Sequence, residues 1–158
     1  TTSDFRNKIN YIRDIMPDVS ITTDVIVGFP GETEEEFQET ESFIKEIEFS
    51  KLHVFPFSPR RGTVAADMPN QVEKSVKADR SHRLIKLSQK LEKSFREKFM
   101  NTTQNVLFEE KKGHNKYEGL TENYIRVLVE SEENLHNQIA QVKLLKNMDD
   151  AIFGKIEK

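Results

Sequence analysis

Two loops and one hairpin carry the side chains whose types and spacing suit chemistry. The run Val27-Gly28-Phe29-Pro30-Gly31-Glu32-Thr33 ends a β-branched stretch, Ile21 to Val27, and opens a helix. Glycines and a proline turn the backbone sharply there, and Thr33 followed three residues later by Glu36 is a capping box. At the carboxyl end of a parallel strand, such a corner and the N–H groups of the next helix face one crevice, where α/β proteins bind ligands. A Gly/Pro turn is also common architecture, so alone it leaves ligand binding and a plain connection open. A second loop, Ser58-Pro59-Arg60-Arg61-Gly62-Thr63, follows the apolar stretch Lys51–Phe57. Two adjacent parallel strands would open both loops on the same rim, where Arg60 can grip a carboxylate or phosphate in bidentate fashion. A rim ion pair of Arg60 with Asp24 or Glu32 is the structural alternative.

Farther along, Lys111, Lys112, His114, Lys116 and Tyr117 cluster on one hairpin, and Asn123, Tyr124 and Arg126 follow on the next stretch. Cations interleaved with aromatics suit single-stranded RNA, which needs phosphate pairing and a face for base stacking. Acids such as Glu130, Glu132, Glu133, Asp149 and Asp150 restrict any RNA surface to one face, and Tyr124 has a core position as its alternative. His53, His82, His114 and His136 lack metal-ligand spacing, and neither a Ser/His/Asp arrangement nor a Walker-type phosphate loop is present.

Helix and strand signals supply the scaffold for these loops. Phe5, Ile9, Ile12 and Met16 recur at helical spacing behind Ser3 as cap, and Pro17 ends that helix. Ile21–Val27 reads as a strand buried on both faces. From Glu34 to Ile47 an acidic helix shows Phe37, Thr40, Ile44 and Ile47 on one side, and its carboxylates suit the positive end of the helix dipole and a solvated outer face. Helix, strand, helix, strand in this order predicts parallel neighbours joined by a right-handed crossover. Two parallel strands cannot enclose a core, so more strands, from the same protein or from a partner chain, are expected to complete the sheet. A long basic helix over Val72–Met100 follows, its cations serving solubility or nucleic acid. Gln104–Glu109, Tyr117–Thr121, Tyr124–Glu130, Ile139–Lys146 and Ala151–Ile156 then read as five antiparallel strands closing a small OB-like barrel.

Composition bounds the remaining possibilities. The 158 residues are 35% hydrophobic and 32% charged with a net charge of −3, which suits a globular chain without blanket attraction to nucleic acid. No apolar run is long enough to span a membrane, and the N-terminus resembles no secretory signal. Absence of an initiator Met suggests a piece of a longer protein. Absence of Cys excludes disulfides and thiolate ligation within these residues and points toward a cytoplasmic setting.

Thr23–Phe37 (T-D-V-I-V-G-F-P-G-E-T-E-E-E-F), His53–Thr63 (H-V-F-P-F-S-P-R-R-G-T) and Gly119–Val127 (G-L-T-E-N-Y-I-R-V) together resemble the radical S-adenosylmethionine methylthiotransferases. The Gly119–Val127 segment is most similar to the tRNA enzymes that act on N6-threonylcarbamoyladenosine beside the anticodon. The resemblance implies residues 1–70 from the end of a radical S-adenosylmethionine α/β partial barrel, a linker helix at 71–100 and a TRAM domain at 101–158. It implies methylthiolation at C2 of the adenine, with S-adenosylmethionine and two 4Fe-4S clusters as cofactors and a tRNA anticodon stem-loop as partner. Cluster ligation needs cysteines, so these residues alone are expected to be inactive and to hold no catalytic or metal-binding residue.

By the same resemblance, Ile26, Gly28, Val54, Phe55 and Pro56 match positions beside the adenine of S-adenosylmethionine. The wider radical-enzyme motif has Gly where Asp24 stands and Glu where Gly31 stands. Ser58, Arg60, Gly62 and Thr63 match the family's substrate-side loop, and TRAM likeness puts tRNA on the barrel. Related activities on a ribosomal-protein aspartate or on isopentenyl-adenosine tRNA, and a stand-alone RNA-binding module, are the alternatives. An exposed sheet edge would also favour homo-oligomers.

Overall fold

The computed structural model describes residues 1–157, which form two compact units, Thr1–Pro17 with Ile21–Glu92, and Asp18–Ser20 with the residues from Lys93 onward. In the first, helix α1 (Thr2–Ile15) is capped by Thr1 rather than Ser3, through a capping box with Asp4. Of its apolar stripe only Ile9 is buried. Strands β1 (Thr22–Val27) and β2 (Lys51–Pro56) pair in parallel, Ile26 opposite Phe55, with helix α2 (Glu34–Ile47) as the crossover.

Strand alternation sends Val25, Val27, Leu52 and Val54 to one face, where they join Ile9, Phe37, Ile44, Ile47, Phe49, Leu84 and Leu87 in a single core. Burial on both faces, expected for β1, is therefore not what these residues achieve. Ile26 and Phe55 stay 57% and 51% exposed on the opposite face, beside Asp24 and His53. A pair of strands has one covered side when every helix it packs against lies on that side.

Helix α3 (Lys74–Glu97) continues to Met100 through tighter turns, with Lys98, Phe99 and Met100 donating to carbonyls three residues back. Its arginines are not a solvated fringe. Arg80 is 4% exposed and Arg96 is 6% exposed.

In the second unit β3 (Thr103–Gly113), β4 (Lys116–Thr121), β5 (Arg126–Glu130), β6 (Gln138–Asn147) and β7 (Ile152–Ile156) close a barrel in the order β3-β4-β5-β7-β6. Five strands were expected, all antiparallel, but β5 and β7 pair in parallel through Val127 and Leu128. That seam makes the barrel mixed. Val106, Phe108, Tyr117, Val127, Val129, Val142, Leu144 and Ile152 fill it, and Phe99 at the end of α3 packs against them. Two glycines let the strands approach. A Cβ on Gly119 would sit 2.4 Å from the Leu107 carbonyl oxygen, and one on Gly154 would meet Val142 Cγ1 at 2.4 Å. Arg96 ties the turn after β6, donating to Asn147 Oδ1 at 3.0 Å and to the Asp149 carbonyl at 2.8 Å.

Candidate functional site

The corner after β1 is locked from within. Gly28 takes φ +73° and Gly31 φ +88°, left-handed values that glycine adopts without strain. The Gly28 N–H donates to Glu32 Oε2 at 2.6 Å, and the same oxygen accepts from Arg80 Nη1 at 2.7 Å. Arg80 also donates to the Glu32 carbonyl at 3.1 Å, so one buried guanidinium sets both ends of the turn. Arg83 bridges Glu34 at 2.8 Å and Glu41 at 3.1 Å, with its guanidinium 4.5 Å from the Phe37 ring. Its hydrogen bond holds the Glu34 carboxyl below the usual carboxylate range. The acidic start of α2 and the basic flank of α3 are thus two halves of one ion-pair network.

Several expected site residues are drawn apart by this arrangement. The Gly28 backbone lies under the Lys77 stem, where an added Cβ would be 2.1 Å from Lys77 Cγ. Val54 faces the covered core, opposite in parity to Ile26 and Phe55, and Pro56 sits exposed at the strand end. Only Ile26 and Phe55, paired in register, share the open face. At the start of α2, Thr33 Oγ1 accepts from the Glu36 N–H and Glu36 returns a bond to the Thr33 N–H, so the cap is satisfied by its own side chains. In the second loop Ser58, Arg60 and Thr63 are all exposed. Thr63 closes that loop on the Arg60 carbonyl through its N–H at 3.1 Å and its hydroxyl at 2.8 Å. Glu32, weighed as a partner for Arg60, belongs to Arg80 instead.

On the barrel, Tyr117 is 2% exposed and packs in the core, which corrects its reading as a stacking platform: its strand position points inward with Val129 across the ladder. Tyr124 is the reverse. It is 78% exposed, not core, and holds φ +63°, an uncommon conformation for a bulky side chain. The hairpin cations are largely neutralised where they stand. Lys112 pairs with Glu110 and Glu118, Lys116 approaches Glu130 at 3.8 Å, and Arg126 approaches Glu118 at 3.6 Å and Asp150 at 3.1 Å. The Glu110 contact raises the Lys112 ammonium above its ordinary value and lowers the carboxyl. Lys111 stands 5.5 Å over the Tyr117 ring, His114 is exposed, and Asn123 Oδ1 accepts from Thr121 Oγ1 at 2.6 Å.

Lys143 and Lys155 are exposed and face each other across the β6–β7 ladder, and the sequence alone did not single them out. Their positions 12 residues apart carry no linear signal; only the register brings them together. Among the described residues no His, Cys, Asp or Glu cluster could hold a metal ion, and no helix is long and apolar enough to cross a membrane.

A parallel β-α-β corner followed in the chain by a closed barrel with an exposed aromatic and cations on its outer strands defines a mixed α/β and β-barrel protein. No family model matches the chain. Its sequence is 45% identical over 146 residues to the threonylcarbamoyladenosine tRNA methylthiotransferase MtaB of Bacillus subtilis, covering 90% of this chain and 32% of that protein. The tRNA-2-methylthio-N(6)-dimethylallyladenosine synthases of Francisella tularensis subspecies novicida and tularensis are each 37% identical over 158 residues, 99% of this chain and 36% of theirs. The chain spans about a third of the length of the curated relatives it matches. Over that stretch its curated relatives are tRNA methylthiotransferases, the class that its motifs resemble.

Proposed function

We propose that the chain forms part of a radical S-adenosylmethionine tRNA methylthiotransferase that adds a methylthio group at C2 of N6-threonylcarbamoyladenosine next to the anticodon. The observation that carries the choice of nucleoside is the 45% identity to the threonylcarbamoyladenosine enzyme, against 37% to the dimethylallyladenosine enzymes. In this reading residues from β1 to β2 are the end of the radical-enzyme barrel, and the closed barrel from β3 to β7 is a TRAM domain that holds the anticodon stem-loop.

The open face of the β1–β2 pair fits such a role. Ile26 and Phe55 offer adjacent apolar surface of the kind that packs on a flat purine, so they would lie against the adenine of S-adenosylmethionine, which supplies the radical chemistry when bound. Gly28 and Val54 would act from behind, one shaping the turn and the other anchoring the strand. Arg60, exposed on its loop, is suited to the substrate side. This chain offers no thiolate, so the 4Fe-4S clusters would be held by other parts of the protein.

The supporting experiment is binding of the full chain to an unmodified anticodon stem-loop RNA and to a sequence-matched DNA hairpin over a salt series. Tighter RNA binding whose affinity falls as salt rises is expected. Equal or absent binding to both would overturn the tRNA part of the reading and favour a protein substrate.

A further inference from the structure

Outside the barrel, β4, β3, β6 and β7 are successive neighbours and present one continuous face. The register arranges its outward side chains in rows. One row runs Leu120, Leu107, Ile139. Leu107 is 41% and Ile139 is 70% exposed, and with Tyr124 they line a shallow groove edged by Glu109 and Glu122. Four residues back along β3, roughly 13 Å at about 3.3 Å per residue, lies a second row, Thr103, Lys143, Lys155. Lys143 and Lys155 line another groove with Leu145, Ile156 and Glu157.

Like charges directly opposite on a ladder repel. Neither lysine has a carboxylate within ion-pairing distance among the described residues, whereas Lys112, Lys116 and Arg126 each do. Glu157, which shares the groove, accepts from the Thr103 hydroxyl at 2.9 Å. Phosphate bridging is the contact that turns the facing ammonium groups from a repulsive pair into a favourable one. At the other row, exposed apolar surface beside an aromatic ring in a left-handed backbone is suited to bases, since strain of this sort is retained where function uses it. The two carboxylates at its edge disfavour phosphates there and can accept hydrogen bonds from exocyclic amines.

Resting on the tRNA reading above, we propose that this outer face, rather than the β3–β4 hairpin, docks a single-stranded stretch of RNA. Lys143 and Lys155 clasp its backbone, and Tyr124 with Leu107 and Ile139 receives its bases.

The test measures binding of the full chain to the anticodon stem-loop RNA over a salt series for three variants. K143Q/K155Q is expected to weaken binding about tenfold and to make the log–log salt slope shallower by about 1.4, two contacts at about 0.7 each. Its thermal midpoint should hold or rise, because removing the facing charges relieves repulsion. Y124A is expected to weaken binding about tenfold with the salt slope unchanged. K111Q/K112Q is expected to change affinity less than twofold. RNA binding that is lost in K111Q/K112Q but kept in K143Q/K155Q and Y124A would overturn this assignment while leaving the tRNA reading intact. Wild-type chain that binds no RNA at any salt would overturn both.

Discussion

Replacing Arg80 by Met should unlock the corner that β1 and α2 form. The Arg80 side chain is 4% exposed and its partner Glu32 is 15% exposed, so the pair is shielded from water on both sides. Removing one member of such a pair leaves the other charge without its counter-ion, at about 3–5 kcal/mol. The interaction of the guanidinium with Phe37, 5.3 Å from the ring centroid, is also lost, about 0.5–2 kcal/mol. Against this, Arg80 Nε has no hydrogen-bond partner among the described residues, and removing a buried unsatisfied donor returns about 1–3 kcal/mol. The net expectation is a loss of about 3 kcal/mol, a large share of a stability of about 5–15 kcal/mol. Urea unfolding followed by the helical far-UV signal would read it, with the slope checked to be unchanged. The double variant E32Q/R80M should lose less than the sum of its single variants, because the amide can still accept from the Gly28 N–H and no charge is stranded. A loss under about 1 kcal/mol in R80M would refute the claim that this pair sets the turn.

Other expectations test separate parts of the structure. Gly119→Ala drives a Cβ to 2.4 Å from a backbone oxygen, where no flexible side chain can yield, and should cost at least about 1–3 kcal/mol in thermal or urea unfolding. Thr33→Ala removes the oxygen that accepts from the Glu36 N–H and should cost about 1 kcal/mol by the same assay. Glu34 and Glu46 are held below the usual carboxylate range by their hydrogen bonds to Arg83 and Arg6. A depressed folded value gives stabilisation that is complete above the unfolded glutamate value of about 4.3 and fades as pH falls through the lower folded values. The unfolding midpoint should therefore drop on acidification below about pH 4, and E34Q should flatten that drop.

Local signals made most elements legible. The Thr33/Glu36 capping box and the apolar spacing of Phe37, Ile44 and Ile47 fixed the bounds of α2, because caps and helical periodicity are encoded within a few residues. The parallel pairing of β1 with β2 followed from element order alone. What the sequence hid depends on contacts far apart in the chain. Glu32 finds Arg80 across 48 residues, and an acidic helix start looks the same whether it is solvated or paired. Tyr117 and Tyr124 both read as aromatics among cations, yet strand parity buries one and a left-handed turn exposes the other. Lys116, Arg126 and Lys112 looked like a free basic patch because Glu130, Asp150 and Glu118 reach them only in the folded barrel, Glu130 by standing opposite Lys116 on the β4–β5 ladder. The reverse holds for Lys143 and Lys155, whose shared row exists only in the closed barrel.

The most direct test of the account replaces the matching third of the Bacillus subtilis relative with this chain and analyses the nucleosides of tRNA from cells that lack the native enzyme. Restored 2-methylthio-N6-threonylcarbamoyladenosine is the expected result. A folded, cluster-loaded chimera that leaves that nucleoside unmodified, or that methylthiolates isopentenyl-adenosine instead, would contradict it.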